Sequence, residues 1–287
     1  MRRAGHSVHG IGHGQWPTRD ATAWGIEHWV NSEIDSSGLD TLLRASGTPE
    51  RIFHLAGGSS VGASLSNPLE DFARTVSTSA RLLDWVRNSA PRARVVASSS
   101  AAVYGAGYEG PISENERTRP YSPYGHHKVM MEEVCRSYSE AFDIRCTAVR
   151  LFSVYGPWLR KQLLWDLCSR LQGRPVSLTL GGTGNELRDW IEIADVVRVL
   201  ERASALEESG MLIINGGTGV ATPVSRIAEM VIAAWETEIP VFFSGAVRTG
   251  DPFSLIADTA QAFDFQCEVP VEKGIPAYVE WFRQSQQ

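Results

Sequence analysis

The stretch Val95-Val-Ala-Ser-Ser-Ser100-Ala-Ala-Val-Tyr104-Gly105 limits the possible folds more than any other part of this chain. Its apolar start reads as a buried strand that runs into a hydroxyl cluster and a glycine-containing turn. The serines therefore sit at a strand's C-terminal end, where open α/β sheets hold their ligands. A second strand, Arg51-Ile-Phe-His54-Leu-Ala56, comes before it, and a third, Ile144–Phe152, follows. Between them lie a long amphipathic helix over 68–88, with Leu69, Phe72, Val76, Ala80, Leu83 and Val86 at helical spacing, and another from Tyr124 to Phe142. Strands alternating with helices predict an α/β fold around a doubly wound parallel sheet.

The second helix opens in Arg119-Pro-Tyr-Ser-Pro-Tyr124-Gly-His-His-Lys128. Pro120 and Pro123 punctuate a loop, and from Tyr124 the pattern turns helical. Four residues make about one helical turn, so Tyr124 and Lys128 share a face, phenol near ammonium. A cation there stabilises phenolate and draws the phenol down from its usual pKa of about 10, making Tyr124 a candidate base. His126 and His127 diverge on a helix, which argues against a metal pair.

Together the two stretches resemble the extended short-chain dehydrogenase/reductase family, in its nucleotide-sugar epimerase/dehydratase branch. The resemblance continues to the C-terminus. His54-Leu55-Ala56-Gly57 is similar to the family's His-Leu-Ala-Ala, where backbone passes the cofactor. Ser153-Val-Tyr155-Gly-Pro157 is similar to its turn at the substrate mouth, with Ser153 where the family often has Asn. Arg188-Asp189-Trp190 resembles its Arg-Asp-aromatic segment, and Arg248-Thr-Gly250-Asp251 its Arg-x-Gly-Asp. What the resemblance implies is a Rossmann-type dinucleotide-binding domain over 1–155 plus about 192–217. A smaller mixed α/β nucleotide-sugar domain would take about 156–191 plus 218–287.

The same resemblance implies NAD as cofactor, NADP not being excluded, with Leu55, Ala56, Gly57, Ser98, Tyr124 and Lys128 as its contacts. Catalysis would fall to Ser100, Tyr124 and Lys128: Tyr124 takes a proton, Lys128 tunes it and holds the nicotinamide ribose, and Ser100 orients the substrate oxygen. Substrate contacts would be Ser100, Ser153, Arg188 and Arg248, because guanidinium matches a diphosphate bidentately. Related 4,6-dehydratases carry Asp-Glu where this chain has Ala101-Ala102, and two alanines move no protons. C4 epimerisation of a UDP-hexose through a 4-keto intermediate leads. The alternatives are NADPH-dependent reduction of a 4-keto-6-deoxy sugar, or a cofactor-poor relative that only binds a nucleotide sugar.

Three departures accompany the match. The strand expected over about Ser7–Ile11 corresponds to the family's second; the first strand and its Gly-x-x-Gly-x-x-Gly turn should precede it and are not in this sequence, so the sheet is expected to be N-terminally incomplete. A start assigned too late, a truncated chain, or a natural short form would each account for this. Gly10-x-Gly12-x-Gly14 follows the wrong strand to serve as a phosphate cradle, and Gly12-His13 replaces the acid that would meet the adenosine ribose. Thr75 stands where the family usually has a cofactor-contacting Asn.

Residues 15–50 read as a Trp-rich irregular segment with a short helix near Leu39–Ala45. Gly58-Ser-Ser60-Val-Gly62 matches the Gly-x-Ser-x-Gly hydrolase elbow. Two grounds oppose that reading: no helix is expected before Pro68, and no histidine follows His127. A net charge of −6 without a basic run argues against nucleic acid as partner. No apolar stretch approaches the roughly 20 residues of a membrane span, and no apolar signal core opens the chain. Cys135, Cys146, Cys168 and Cys267 have no metal or disulfide spacing, and read as reduced thiols in a cytoplasmic protein. A homodimer through the two long helices is a further implication of the resemblance.

Overall fold

Val95 and Val96 do start a strand, Arg94–Ser100, that is buried along most of its length in the computed structural model of the protein. The structure describes residues 5–13, 18–247, 250–260 and 265–286. Two units make up the chain: Met1–Ser99, Ser122–Val149 and Leu200–Ile213 form the first, and Ser100–Tyr121, Arg150–Val199 and Ile214–Gln287 the second.

The serine strand belongs to a four-stranded sheet in the order Met211–Gly216, Cys146–Leu151, Arg94–Ser100, Arg51–His54. Arg51–His54 runs parallel to it, with Arg51 opposite Arg94 and His54 opposite Ala97. A separate parallel pair joins His9–Gly12 to His28–Asn31. The second strand of that pair lies in the segment read as irregular. It is four residues long with exposed ends, too short for a periodicity of two to register. Among the described residues no ladder joins the pair to the larger sheet. The first unit is thus a parallel α/β arrangement in two pieces.

Helices cover the sheet where the apolar spacing placed them. The expected helix over 68–88 is observed as Pro68–Phe72 and Thr78–Ser89, joined by a wide π turn over Ala73–Ser77. Pro68 takes the first turn, where its missing N–H costs nothing. The Tyr124 helix spans Pro123–Phe142; the Ser122 hydroxyl accepts from the Gly125 amide at its start, and Asp143 ends it in a left-handed conformation. Leu82, Leu83, Val86, Val95, Met131, Ile144 and their neighbours close one core between these helices and the sheet.

One expectation fails here. A short helix, Val61–Ser66, begins directly after Ser60, whose hydroxyl accepts from the Ala63 amide as its cap. Six small residues carry no amphipathic signal, so Pro68 looked like the first start. The elbow reading loses that objection but not the other: no histidine follows His127.

The second unit holds a mixed sheet. Leu187–Glu192 is its hub, antiparallel to Ala221–Pro223 and parallel to Ser254–Ala257 and Ser153–Tyr155. Leu178–Leu180 pairs with Val241–Phe243. Its core gathers Tyr155, Leu167, Ile227, Ile275, Tyr278 and Phe282. Asp189 is fully buried and accepts from the Thr218 amide and hydroxyl, the Gly219 amide and the Ala257 amide. Burial raises its pKa although those donors oppose the shift, so this carboxylate is a structural tie. All four cysteines carry free thiols. No described helix is long and apolar enough to cross a membrane.

Candidate active site

Lys128 is a cation in the interior of the first unit, only 3% exposed. A buried ammonium is costly unless donors find acceptors. Its Nζ donates to the Ser98 carbonyl at 2.7 Å, at the C-terminal end of the serine strand. It also lies 5.8 Å from the centroid of the Tyr124 ring. Phenol and ammonium are thus on one side of the helix, as four-residue spacing requires.

Glycines bring the neighbouring strand exit up to this ammonium. At Gly57 φ is +153°, and a Cβ would sit 3.1 Å from the Lys128 Nζ and 3.4 Å from the Thr75 hydroxyl. The Gly58 amide donates to that same hydroxyl at 2.8 Å. Thr75 lies in the π turn, the kind of local widening that recurs at functional sites. A Cβ on Gly58 would collide with Asp71, whose Oδ2 is 2.5 Å from His127 Nδ1. The Tyr124 amide donates to Ser64 Oγ. The start of the tyrosine helix is thereby fixed against three neighbouring segments.

Each serine of the cluster has a different job. Ser98 gives its carbonyl to Lys128, while its hydroxyl donates to the His54 carbonyl at 3.3 Å. Ser99 donates to the buried Glu132 carboxylate at 2.5 Å and is spent on structure. Ser100 belongs to the second unit, where its hydroxyl accepts from the Ala102 amide at the head of a tight turn. His54 packs under the sheet, as expected, bonded to Ser79 Oγ at 2.9 Å. Burial first, and Lys128 second, push its pKa down from 6.5 to about 4, so it is neutral near pH 7. His126 is exposed and His127 buried, which confirms that the two diverge. Of the other expected contacts, Leu55 is exposed and Ala56 and Gly57 are half-buried.

In the second unit Ser153 opens a strand opposite Trp190. Arg188 donates to the Leu187 and Phe253 carbonyls and lies 3.6 Å from the Asp251 carboxylate. Burial lowers its pKa, and Asp251 opposes the shift. Arg248 is outside the described residues. A buried chain runs from Arg150 to the Tyr104 hydroxyl to Asn215, which in turn donates to the Ile112 carbonyl. Sequence reading missed that chain, the Asp71–His127 pair and the contact between Thr75 and Gly58. Their partners are far apart in sequence and no short motif joins them.

With this geometry in view, comparison with known proteins decides the family. The sequence profile of the NAD dependent epimerase/dehydratase family matches residues 1–215. The chain belongs to that family. The UDP-glucose 4-epimerase of Mycolicibacterium smegmatis is 31% identical over 268 residues, 90% of this chain and 84% of that one. Three UDP-glucuronate 4-epimerases of Arabidopsis thaliana are 26–28% identical over 80% of this chain. The chain spans only 54–58% of the length of those three. MoeE5, solved in complex with UDP-glucose and NAD, has a TM-score of 0.87 at 28% identity, covering 100% of this chain and 93% of that one. Ala101 and Ala102, with Val103, form the tight turn after Ser100.

Proposed function

We propose that the protein is an NAD-dependent sugar-nucleotide epimerase that inverts C4 of a UDP-hexose. The observation that carries this reading is the Lys128 ammonium, buried on the Ser98 carbonyl beside the Tyr124 ring. The strand exit at Gly57 fits a nicotinamide ribose, because no Cβ intrudes there and a fixed ammonium lies beneath. Leu55, Ala56, Gly57, Ser98, Tyr124 and Lys128 would hold the cofactor. When bound, NAD supplies a hydride acceptor that later returns the hydride.

The chain's own groups handle the protons. Tyr124 accepts the proton of the C4 hydroxyl and gives it back after the sugar has turned over. Lys128 favours the phenolate form, and the Ser100 hydroxyl donates to the reacting oxygen. Arg188 and Arg248 hold the nucleotide diphosphate, and Ser153 donates a hydrogen bond at the substrate mouth. Alanines at 101 and 102 supply no acid for loss of water. The reading includes a cytoplasmic homodimer through Pro68–Ser89 and Pro123–Phe142, supported by the exposed apolar side chains Leu69, Phe72, Met130 and Phe142 on those helices.

The test is interconversion of UDP-glucose and its C4 epimer, followed by NMR with added NAD. Many turnovers with no net NADH change are expected, and Tyr124→Phe should lower kcat by roughly 10²–10⁴-fold. Stoichiometric consumption of NADH or NADPH would instead mark a reductase. Undiminished turnover in the Phe variant would discard the assignment of Tyr124.

A further inference from the structure

The first unit has a second cluster of cations, at the opposite end of the strands from Lys128. Arg51, Arg92, Arg94 and Arg145 line a cavity of about 410 Å³, together with Thr48, Ser204 and one carboxylate, the exposed Glu50. Three of these arginines stand at the beginnings of neighbouring strands. Arg51 opens Arg51–His54, Arg94 opens the serine strand, and Arg145 immediately precedes Cys146–Leu151. Arg51 and Arg94 face each other directly in the ladder.

Like charges directly opposite one another on adjacent strands are destabilising. Arg94 makes the arrangement costlier still, being only 6% exposed. Among the described residues its side chain closes no hydrogen bond or ion pair, and no ion pair forms at Arg51, Arg92 or Arg145 either. Arg145 spends one nitrogen on the Arg92 carbonyl at 2.6 Å. Burial lowers the Arg94 pKa, and Arg145 and Arg51 push the same way. Glu208 and Glu207 counter only in part, from exposed positions. Four guanidinium groups around one cavity, against the single exposed carboxylate of Glu50 and with the most buried guanidinium unpartnered, favour an anion there.

The width of the site suggests its ligand. Arg145, Arg94 and Arg51 sit on three successive strands, so they span two inter-strand spacings, roughly 9–10 Å. A cavity of that width has room for more than one phosphate, and phosphates in a row can each offer the bidentate edge that guanidinium prefers. We propose that this cavity binds a polyphosphate, taking either inorganic pyrophosphate or the triphosphate tail of a nucleotide across Arg51, Arg94 and Arg145. The site is independent of the epimerase reading and shares no residue with it.

Calorimetric titration of the whole protein tests this, with pyrophosphate, ATP and adenosine as separate probes at low salt and again at higher salt. Pyrophosphate and ATP should each show a saturable binding component that Arg94→Ala weakens and Arg188→Ala does not. That component should weaken as salt rises, and adenosine should not compete for it. Arg94→Ala should weaken pyrophosphate about ten- to hundredfold, the worth of a charge-assisted contact. Arg51→Ala and Arg145→Ala, at half-buried positions, should weaken it in the same direction, and they carry the test if Arg94→Ala does not fold. Arg188→Ala should leave the Arg94-dependent component of pyrophosphate binding unchanged, which separates this cavity from the diphosphate grip of the second unit. The proposal is overturned by absence of saturable pyrophosphate binding, by ATP binding without pyrophosphate binding, or by binding that only Arg188→Ala abolishes.

Discussion

Lys128 and Arg94 are both cations buried in the first unit, and they meet the serine strand at its two ends. Their surroundings are opposite. Lys128 donates to the Ser98 carbonyl at 2.7 Å and has the Tyr124 ring in reach. Arg94 starts the strand, faces Arg51 across the ladder, and closes no ion pair among the described residues. A buried charge must be satisfied by the protein or by something bound to it. The difference teaches how to read such groups: the satisfied cation is held in place by the protein, as the proposed catalytic role of Lys128 requires, and the unsatisfied one is open to the proposed anion.

Substituting the same residue at both ends sharpens the contrast. The largest effect is expected on rate: Lys128→Met should lower kcat/KM for epimerisation by roughly 10²–10⁴-fold, whereas Arg94→Met leaves it near wild type. Next comes a pH effect through His54, which feels the Lys128 charge. Its folded pKa of about 4 lies below its ordinary 6.5, so the unfolded chain binds more protons between those values. Stability is therefore full above pH 6.5 and is lost as pH falls toward 4, by roughly 3 kcal/mol. Denaturant titrations should show that loss in wild type and not in His54→Asn. Lys128→Met should raise the His54 pKa part of the way back, as read by NMR, since burial remains the larger cause. The smallest effects are on stability near pH 7 without added anion. Lys128→Met should cost about 1–3 kcal/mol by taking the donor from a buried carbonyl. Arg94→Met should be neutral or stabilising by about 1 kcal/mol, because it removes a desolvated, repelled charge. If both substitutions shift the denaturation midpoint alike, the contrast between the two cations is wrong.

The end that holds Lys128 was legible in the sequence because its signals are local. An apolar run, a serine cluster and a Tyr-x-x-x-Lys on a helix all lie within short windows, and the strand and helix formed where spacing put them. The arginine end was illegible for the converse reason. Arg51, Arg92, Arg94 and Arg145 make no basic run, and only strand order gathers them. The same holds for Asp71 with His127 and for Arg188 with Asp251. His28–Asn31 escaped through its shortness, and the π turn at Ala73–Ser77 because it leaves the apolar spacing on either side intact. The helix that starts after Ser60 rests on a capping hydrogen bond, which leaves no apolar periodicity in the sequence.

The central claim, that Lys128 sets the proton affinity of Tyr124, is tested most directly by the pH dependence of kcat/KM in wild type and Lys128→Met. The acid limb, where activity falls as the base takes up a proton, should lie at lower pH in wild type and move upward in the variant. Two profiles that fall at the same pH would contradict it.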